Sequence, residues 1–178
     1  ILGATSSISE RRDLLTKVRI APEVMPFVAV LSNGFNFVFS LPILLAFALA
    51  SGAGVSVDWL ALPALMLVQL VFTVALALGF ALINVFFRDL QHILGNLMTL
   101  WFFICPIIYR YEDIPANLRP LADFDPIAVI IRGYQAIFFA HQQPDWVSIA
   151  AVLGASLVIL AGTSLLMSRH RESLPERI

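Results

Sequence analysis

One compact pair of charges, Arg88-Asp89, stands between two long runs, 59–87 and 90–109, that contain no Asp, Glu, Lys or Arg. A charge at the centre of a bilayer costs about 2.5–3.5 kcal/mol on insertion scales. Adjacent residues of a helix do not face each other, so Arg88 and Asp89 cannot neutralise one another cheaply inside lipid. The pair therefore belongs at a membrane surface, with the chain diving back into lipid directly after it. A hairpin of transmembrane helices is the simplest arrangement that satisfies this, with Arg88 anchoring the junction on lipid phosphate or helix carbonyls.

The composition agrees. Hydrophobic residues make up 60% of the chain and charged residues 13%, about half the charged share of a soluble domain. The net charge of −1 says nothing about partners, because the distribution of charge along the chain is what matters. Cys105 is the single cysteine, which excludes an internal disulfide or a cysteine-rich metal site. Beside Pro106 in an apolar run, it reads as a packed core thiol. Ile1 is not an initiator, and no basic stretch leads into an apolar leader. The expectation is a chain that begins inside a longer protein.

In order along the chain, Ser7-Ile8-Ser9-Glu10 fits a capping box that starts a short helix. Ile8, Leu14, Leu15 and Val18 mark its apolar side, opposite Glu10, Arg11, Arg12, Asp13 and Lys17, and Pro22 stops it. This stretch, 7–19, is either a solvated surface helix at a membrane boundary or a helix that docks into a soluble partner. The first span is expected over about 25–51, long enough for the roughly 30 Å hydrocarbon core with some tilt. Pro42 should kink it, and Asn33 and Asn36 should face other helices or a pathway rather than lipid. A second span follows over 59–87, in which Ala75 and Gly79 form a small-xxx-small pair suited to close helix approach. The third covers 90–109, with Pro106 near its outer end, and the last covers 146–168.

Residues 110–145 decide the topology. Pro126 to Ala140 is apolar but contains Arg132 and is only fifteen residues long, a length that suits a re-entrant or interfacial segment. If this segment does not span, Arg11, Arg12, Lys17, Arg19, Arg88, Arg169, Arg171 and Arg177 all share one face. The positive-inside tendency favours that arrangement. It makes 110–145, with Asp113 and His141, an external re-entrant segment and leaves the tail cytoplasmic.

No catalytic constellation is present, so the chain is not expected to be an enzyme. His92, His141 and His170 are scattered without ligand spacing, and there is no phosphate-cradling G-x-x-x-x-G-K-[ST] loop. Basic residues are too few, and too tied to membrane boundaries, for nucleic-acid binding. The aromatic residues Phe35, Phe37, Phe39, Trp101, Phe102, Phe103 and Tyr109 lie in or beside the spans. They read either as helix packing with an interfacial belt, or as rings lining a channel and stacking on sugars. Periodicity does not separate the two.

The chain resembles the membrane subunit of ABC-2-type exporters, in the branch that exports O-antigen, capsule or teichoic acid. The matching pieces are Leu15-Thr16-Lys17-Val18-Arg19 with Pro22 and Val24-Met25-Pro26, then Phe87-Arg88-Asp89-Leu90 and Pro106-Ile107-Ile108-Tyr109. Asp125-Pro126-Ile127-Ala128 and Tyr134-Gln135 follow. Asp125 stands where that pattern has Asn, and Gln135 where it has Arg. The resemblance implies an all-α polytopic transmembrane bundle, forming the carboxy-terminal part of a longer permease in the bacterial inner membrane. It implies a second copy of the chain and a separate ATP-binding subunit that holds ATP and Mg, with no cofactor on this chain. Residues 7–19 would then be the coupling helix, contacting that subunit through Glu10, Arg11, Arg12, Leu14 and Leu15. Residues 110–145 would hold the external helices closing the pathway. Arg88 and Asp89 would form a cytoplasmic turn, and Phe35, Phe39, Trp101, Phe102 and Tyr109 would line a route for a glycan or lipid-linked glycan. An ABC-2 permease for a drug or small amphiphile, and a non-transport membrane scaffold, stand as alternatives.

Overall fold

A computed structural model describes residues 2–5, 24–50, 56–87, 89–109 and 111–169. The described residues form helices and connecting turns, with no strand among them. Helix α1 covers Leu2–Thr5 and α2 covers Val24–Ala50. A 3-10 turn at Val57–Ala61 leads into α3, Leu62–Phe86. Helix α4 is Leu90–Ile104, and a 3-10 turn at Tyr111–Asp113 precedes α5, Arg119–Phe124. Helix α6, Pro126–Gln135, runs on into a π-helical turn at Ala136–Ala140, and α7 closes the series at Trp146–Arg169. Three stretches are long and apolar enough to cross a membrane: Val24–Ala50, Val57–Phe86 and Trp146–Ser168.

The helix limits follow from local chemistry. Helix α2 runs unbroken through Pro42. The Ser56 hydroxyl accepts the Asp58 N–H at 3.2 Å, and Pro63 occupies the first turn of α3, where its missing N–H costs nothing. Helix α4 is shorter than the expected 90–109 run. Pro106 lacks an N–H and forces the residue before it into extended backbone. Cys105 accordingly sits at φ −68°, ψ 143° and ends the helix at Ile104. Its 15 residues reach about 22 Å, less than a full hydrocarbon core. Asp89 is exposed at the start of α4, and its backbone carbonyl accepts the N–H groups of His92 and Ile93. Arg88, the 7–19 stretch with Glu10, Arg11, Arg12, Leu14 and Leu15, and the tail beyond Arg169 lie outside the described residues.

Helix α3 is the axis of the bundle, and its contact with α7 is the most extensive among the described elements. Lipid tails are as apolar as leucine, so packing and hydrogen bonds, rather than exclusion of water, hold such helices together. Small residues allow the approach: Ala75, Ala77 and Ala81 of α3 are fully buried, and the Cα of Gly79 faces Thr163 closely enough that an added Cβ would lie 3.8 Å from its Oγ1. Two packed clusters mark the two ends. One joins Ala4 of α1, Met25 and Val30 of α2, Val85 at the end of α3 and Met167 at the end of α7. There Asn84 Nδ2 donates to the Thr5 carbonyl at 3.2 Å. The other joins Leu62, Leu65 and Phe72 of α3 with Val129, Ile137 and Phe138 of the α6 region and Ile149 of α7. Pro126–Ala140 thus packs against the opening turns of α3 and α7, at the end of the bundle opposite Asp89.

Candidate functional site

The polar residues that interact across elements are concentrated at that second end, and they organise around α6. Asp125 caps the helix: its Oδ1 accepts the Ile127 N–H at 3.0 Å, with Pro126 in the first helical position. The other oxygen, Oδ2, accepts two side-chain donors from the end of α4, Trp101 Nε1–H at 2.9 Å and the Cys105 thiol at 3.1 Å. Cys105 is buried, as a packed thiol should be, but it is also a hydrogen-bond donor. One carboxylate therefore ties the start of α6 to the end of α4.

Further along α6, Gly133 seats the helix against its neighbours. An added Cβ there would meet the Leu65 methyl carbons at 3.1 and 3.2 Å and the Ile149 Cδ1 at 3.6 Å. Tyr134 donates its hydroxyl hydrogen to Gln69 Oε1 at 2.6 Å and meets Phe37 of α2 edge-on, with ring centroids 6.2 Å apart. Gln135 Nε2 donates to the Pro106 carbonyl at 2.7 Å, the oxygen that follows the break in α4. Beyond the π turn, His141 takes left-handed backbone, φ 51°, ψ 45°, and Gln143 Nε2 reaches back to Asp58 Oδ1 at 2.6 Å. Helix α6 is thus fastened to the end of α4 and to α3, and the segment that follows it is tied to the turn that begins α3.

A second cluster stands on the outer surface of this end. Arg132 pairs with Asp123 at 2.8 Å, and Tyr111 donates to the same Asp123 oxygen at 2.8 Å. Held in this bond, the Tyr111 hydroxyl gives up its proton less readily than usual. The Arg132 guanidinium lies over the Tyr111 ring at 4.6 Å, and that of Arg119 at 5.9 Å. Arg132, an awkward charge in an apolar segment, is thus neutralised where α6 meets the surface.

A cleft of about 950 Å³ opens between α4 and the 113–126 region. Trp101 and Tyr109 lie on its wall beside Asp113 and Asp125. The Tyr109 hydroxyl is held by the Ile104 carbonyl. These two rings, with Phe124, and the two carboxylates lining the cleft offer planes for stacking and acceptors for hydroxyl groups. Phe35, by contrast, lines a separate groove of about 640 Å³ between α2 and α3, together with Asn33, Gln69 and Thr73. Asn33 faces that groove while its Nδ2 donates to the Ala29 carbonyl at 2.8 Å. Phe39 is 75% exposed and Phe102 packs edge-on against its neighbour Phe103. The five aromatic residues therefore do not form one surface; only Trp101 and Tyr109 share a wall. The residues that sequence reasoning left out of the site are Asp123, Asp125, Arg132, Tyr134 and Gln135. The Asp125-Pro126 pair, a helix-start signature, was the available signal for the first of the ties.

The profile of the ABC-2 type transporter family matches residues 1–139. This chain belongs to the ABC-2 type transporter family. It is 42% identical over 179 residues to the O-antigen export system permease protein RfbA of Myxococcus xanthus, an alignment covering 99% of this chain and 68% of that protein. Two permeases of the same name from Klebsiella pneumoniae are 27% and 25% identical over 149 residues, covering 83% of this chain and 58% of each. An ABC-2 permease built of apolar helices is a multi-pass membrane protein, the transport component of its system and not the catalytic one.

Proposed function

We propose that this chain is the membrane-spanning permease subunit of an ATP-driven exporter that moves a polysaccharide or lipid-linked glycan across the bacterial inner membrane. The 42% identity to an O-antigen export permease, sustained over 99% of the chain, carries this reading. In it, a separate ATP-binding subunit hydrolyses ATP with Mg, and a second copy of the permease completes the pathway within the lipid. Residues 7–19 form the coupling helix, with Leu14 and Leu15 seated in the ATPase and Glu10, Arg11 and Arg12 at the rim. Arg88 and Asp89 form the cytoplasmic turn.

The topology is read from how the elements meet. Pro126–Ala140 packs on the same end of the bundle as Trp59 and Ile149, with Trp59 and Phe138 edge-on at 5.9 Å. A segment that enters and leaves at one end does not cross, which supports an external re-entrant 110–145 segment with the charged tail on the cytoplasmic side. Trp101 and Tyr109 are the aromatic residues best placed to meet a sugar, with Phe35, Phe39 and Phe102 facing elsewhere. The test is deletion of the gene in its host, followed by staining for surface glycan. The expected result is glycan retained inside the cell, with surface display restored by the full-length permease. Normal surface glycan in the deletion strain overturns the reading.

A further inference from the structure

We infer that Asp125 is a cargo-operated catch, a positioning residue that holds the external helix α6 against α4 until a hydroxyl-rich ligand enters the adjacent cleft. The inference rests on the glycan-export reading above.

Three donors converge on this carboxylate, and both of its oxygens are used. Oδ1 takes the Ile127 N–H that starts α6, while Oδ2 takes Trp101 Nε1–H and the Cys105 thiol, both from the end of α4. Oδ2 is therefore a bridge between the start of α6 and the end of α4, while the other tie to this region, Gln135 Nε2 to the Pro106 carbonyl, lies beyond the break that ends α4. The same residue lies on the wall of the 950 Å³ cleft, beside Trp101 and Tyr109. A thiol is a weak donor, and a carboxylate binds a charge-assisted hydroxyl donor about twice as strongly as a neutral acceptor does. A sugar stacked on Trp101 brings such hydroxyls to Oδ2. They take the oxygen from Cys105 first and then from Trp101, and the bridge to α4 opens while the Oδ1 cap on α6 stays closed. An acid is required for this arrangement. An asparagine at this position accepts with one oxygen only, so it either caps α6 or bridges to α4, and its amide hydrogens face donors on the other side.

Cys105 reports the state of the catch, because it is buried while the bridge is closed. The experiment uses the full-length permease with its ATPase, carrying Cys105 as the sole cysteine. It is expressed in host cells that make the glycan and in cells lacking the first enzyme of glycan synthesis. N-ethylmaleimide labelling of Cys105 is timed in both, alongside surface glycan. In the wild type, labelling is expected to be several-fold faster in glycan-producing cells. In Asp125→Asn, where the cap on the Ile127 N–H keeps the single oxygen, it should be fast in both strains. Trp101→Phe keeps the ring but removes one donor, so it should raise the glycan-free rate by less than Asp125→Asn while keeping a response to glycan. Equal wild-type rates in the two strains, with normal surface glycan, overturn the catch and leave the export reading standing. A glycan response preserved in full by Asp125→Asn also overturns it, since the bridge is then not the element that responds. Surface glycan that does not depend on this permease removes the export reading, and the catch with it.

Discussion

Tyr134 of α6 donates to Gln69 of α3 across 2.6 Å, joining residues 65 positions apart in the chain. This side-chain bond fastens α6 to the central helix of the bundle, one residue after Gly133 on α6 and one turn after Leu65, the residue Gly133 packs against, on α3. Tyr134→Phe keeps the ring and its contact with Phe37 but removes the donor. Interhelical hydrogen bonds in lipid average about 0.6 kcal/mol and reach about 1.7. A double-mutant cycle with Gln69→Leu, read by thermal melting of the purified full-length protein, should give a coupling energy in that range. Strict additivity would mean the bond contributes nothing.

Gly133→Ala tests the approach itself. Leu65 is wholly buried, so its methyl groups have little room to retreat from a Cβ at 3.1 Å. Overpacking of this kind costs about 1–3 kcal/mol. Gly154, on α7, has nothing within 4 Å of its added Cβ, and Gly154→Ala should be neutral or slightly stabilising because alanine is the better helix former. Equal melting temperatures for the two variants would show that α6 can shift freely on α3.

Asp145 gives a pH dependence with a definite sign. The Ser148 hydroxyl, and then the Ser148 and Val147 N–H groups, hold its carboxyl below the ordinary range. A depressed folded value means the stabilisation is fully present above the unfolded value of about 3.9. It is lost as the pH falls below that through the folded value. Because the group is exposed, solvent screens it and the effect is small. Melting curves between pH 7 and pH 3 should fall less steeply for Asp145→Asn than for the wild type. Parallel curves would remove Asp145 from the acid response.

Coupling to the ATPase is tested at Leu15. Buried anchors dominate binding energy, whereas rim charges mainly tune on-rate and salt dependence. Leu15→Asp should abolish export by the reconstituted complex while ATP hydrolysis continues, and Arg12→Ala should do less. Export at the wild-type rate from the Leu15→Asp complex would return 7–19 to a solvated surface helix.

Cysteine accessibility in intact cells tests the topology. On a Cys105-free background, cysteines at positions 113 and 141 should react with an impermeant reagent, and those at 11, 88 and 171 should not. External labelling at position 171 would mean that Pro126–Ala140 crosses the membrane after all.

The apolar helices were legible because charge-free runs of more than twenty residues leave few alternatives to a spanning helix. Ala75 and Gly79 marked a packed face of α3, where Ala75 is fully buried and Gly79 faces Thr163. The end of α4 was legible only in part: Pro106 was seen, but its effect on Cys105 shortens the helix by five residues relative to the expected 90–109 run. The site was much less legible. Trp101 and Asp125 are 24 positions apart, and no periodicity connects a residue at the end of one helix with the cap of another. The scatter of Phe35, Phe39 and Phe102 has the same origin, since adjacent aromatic residues cover most of a helix circumference and only packing selects which face is used.

The stretches Val24–Ala50, Leu62–Phe86, Leu90–Ile104 and Trp146–Ser168 contain no Asp, Glu, Lys or Arg, while Asp58, Asp113, Asp123, Asp125, Arg132 and Asp145 gather at one end. Moving one elementary charge through a membrane potential is worth about 2.3 kcal/mol per 100 mV. Tilting or sliding these helices carries no formal charge through that field. The resting voltage of the cell therefore acts on their rearrangement through the helix dipoles and not through side-chain charge.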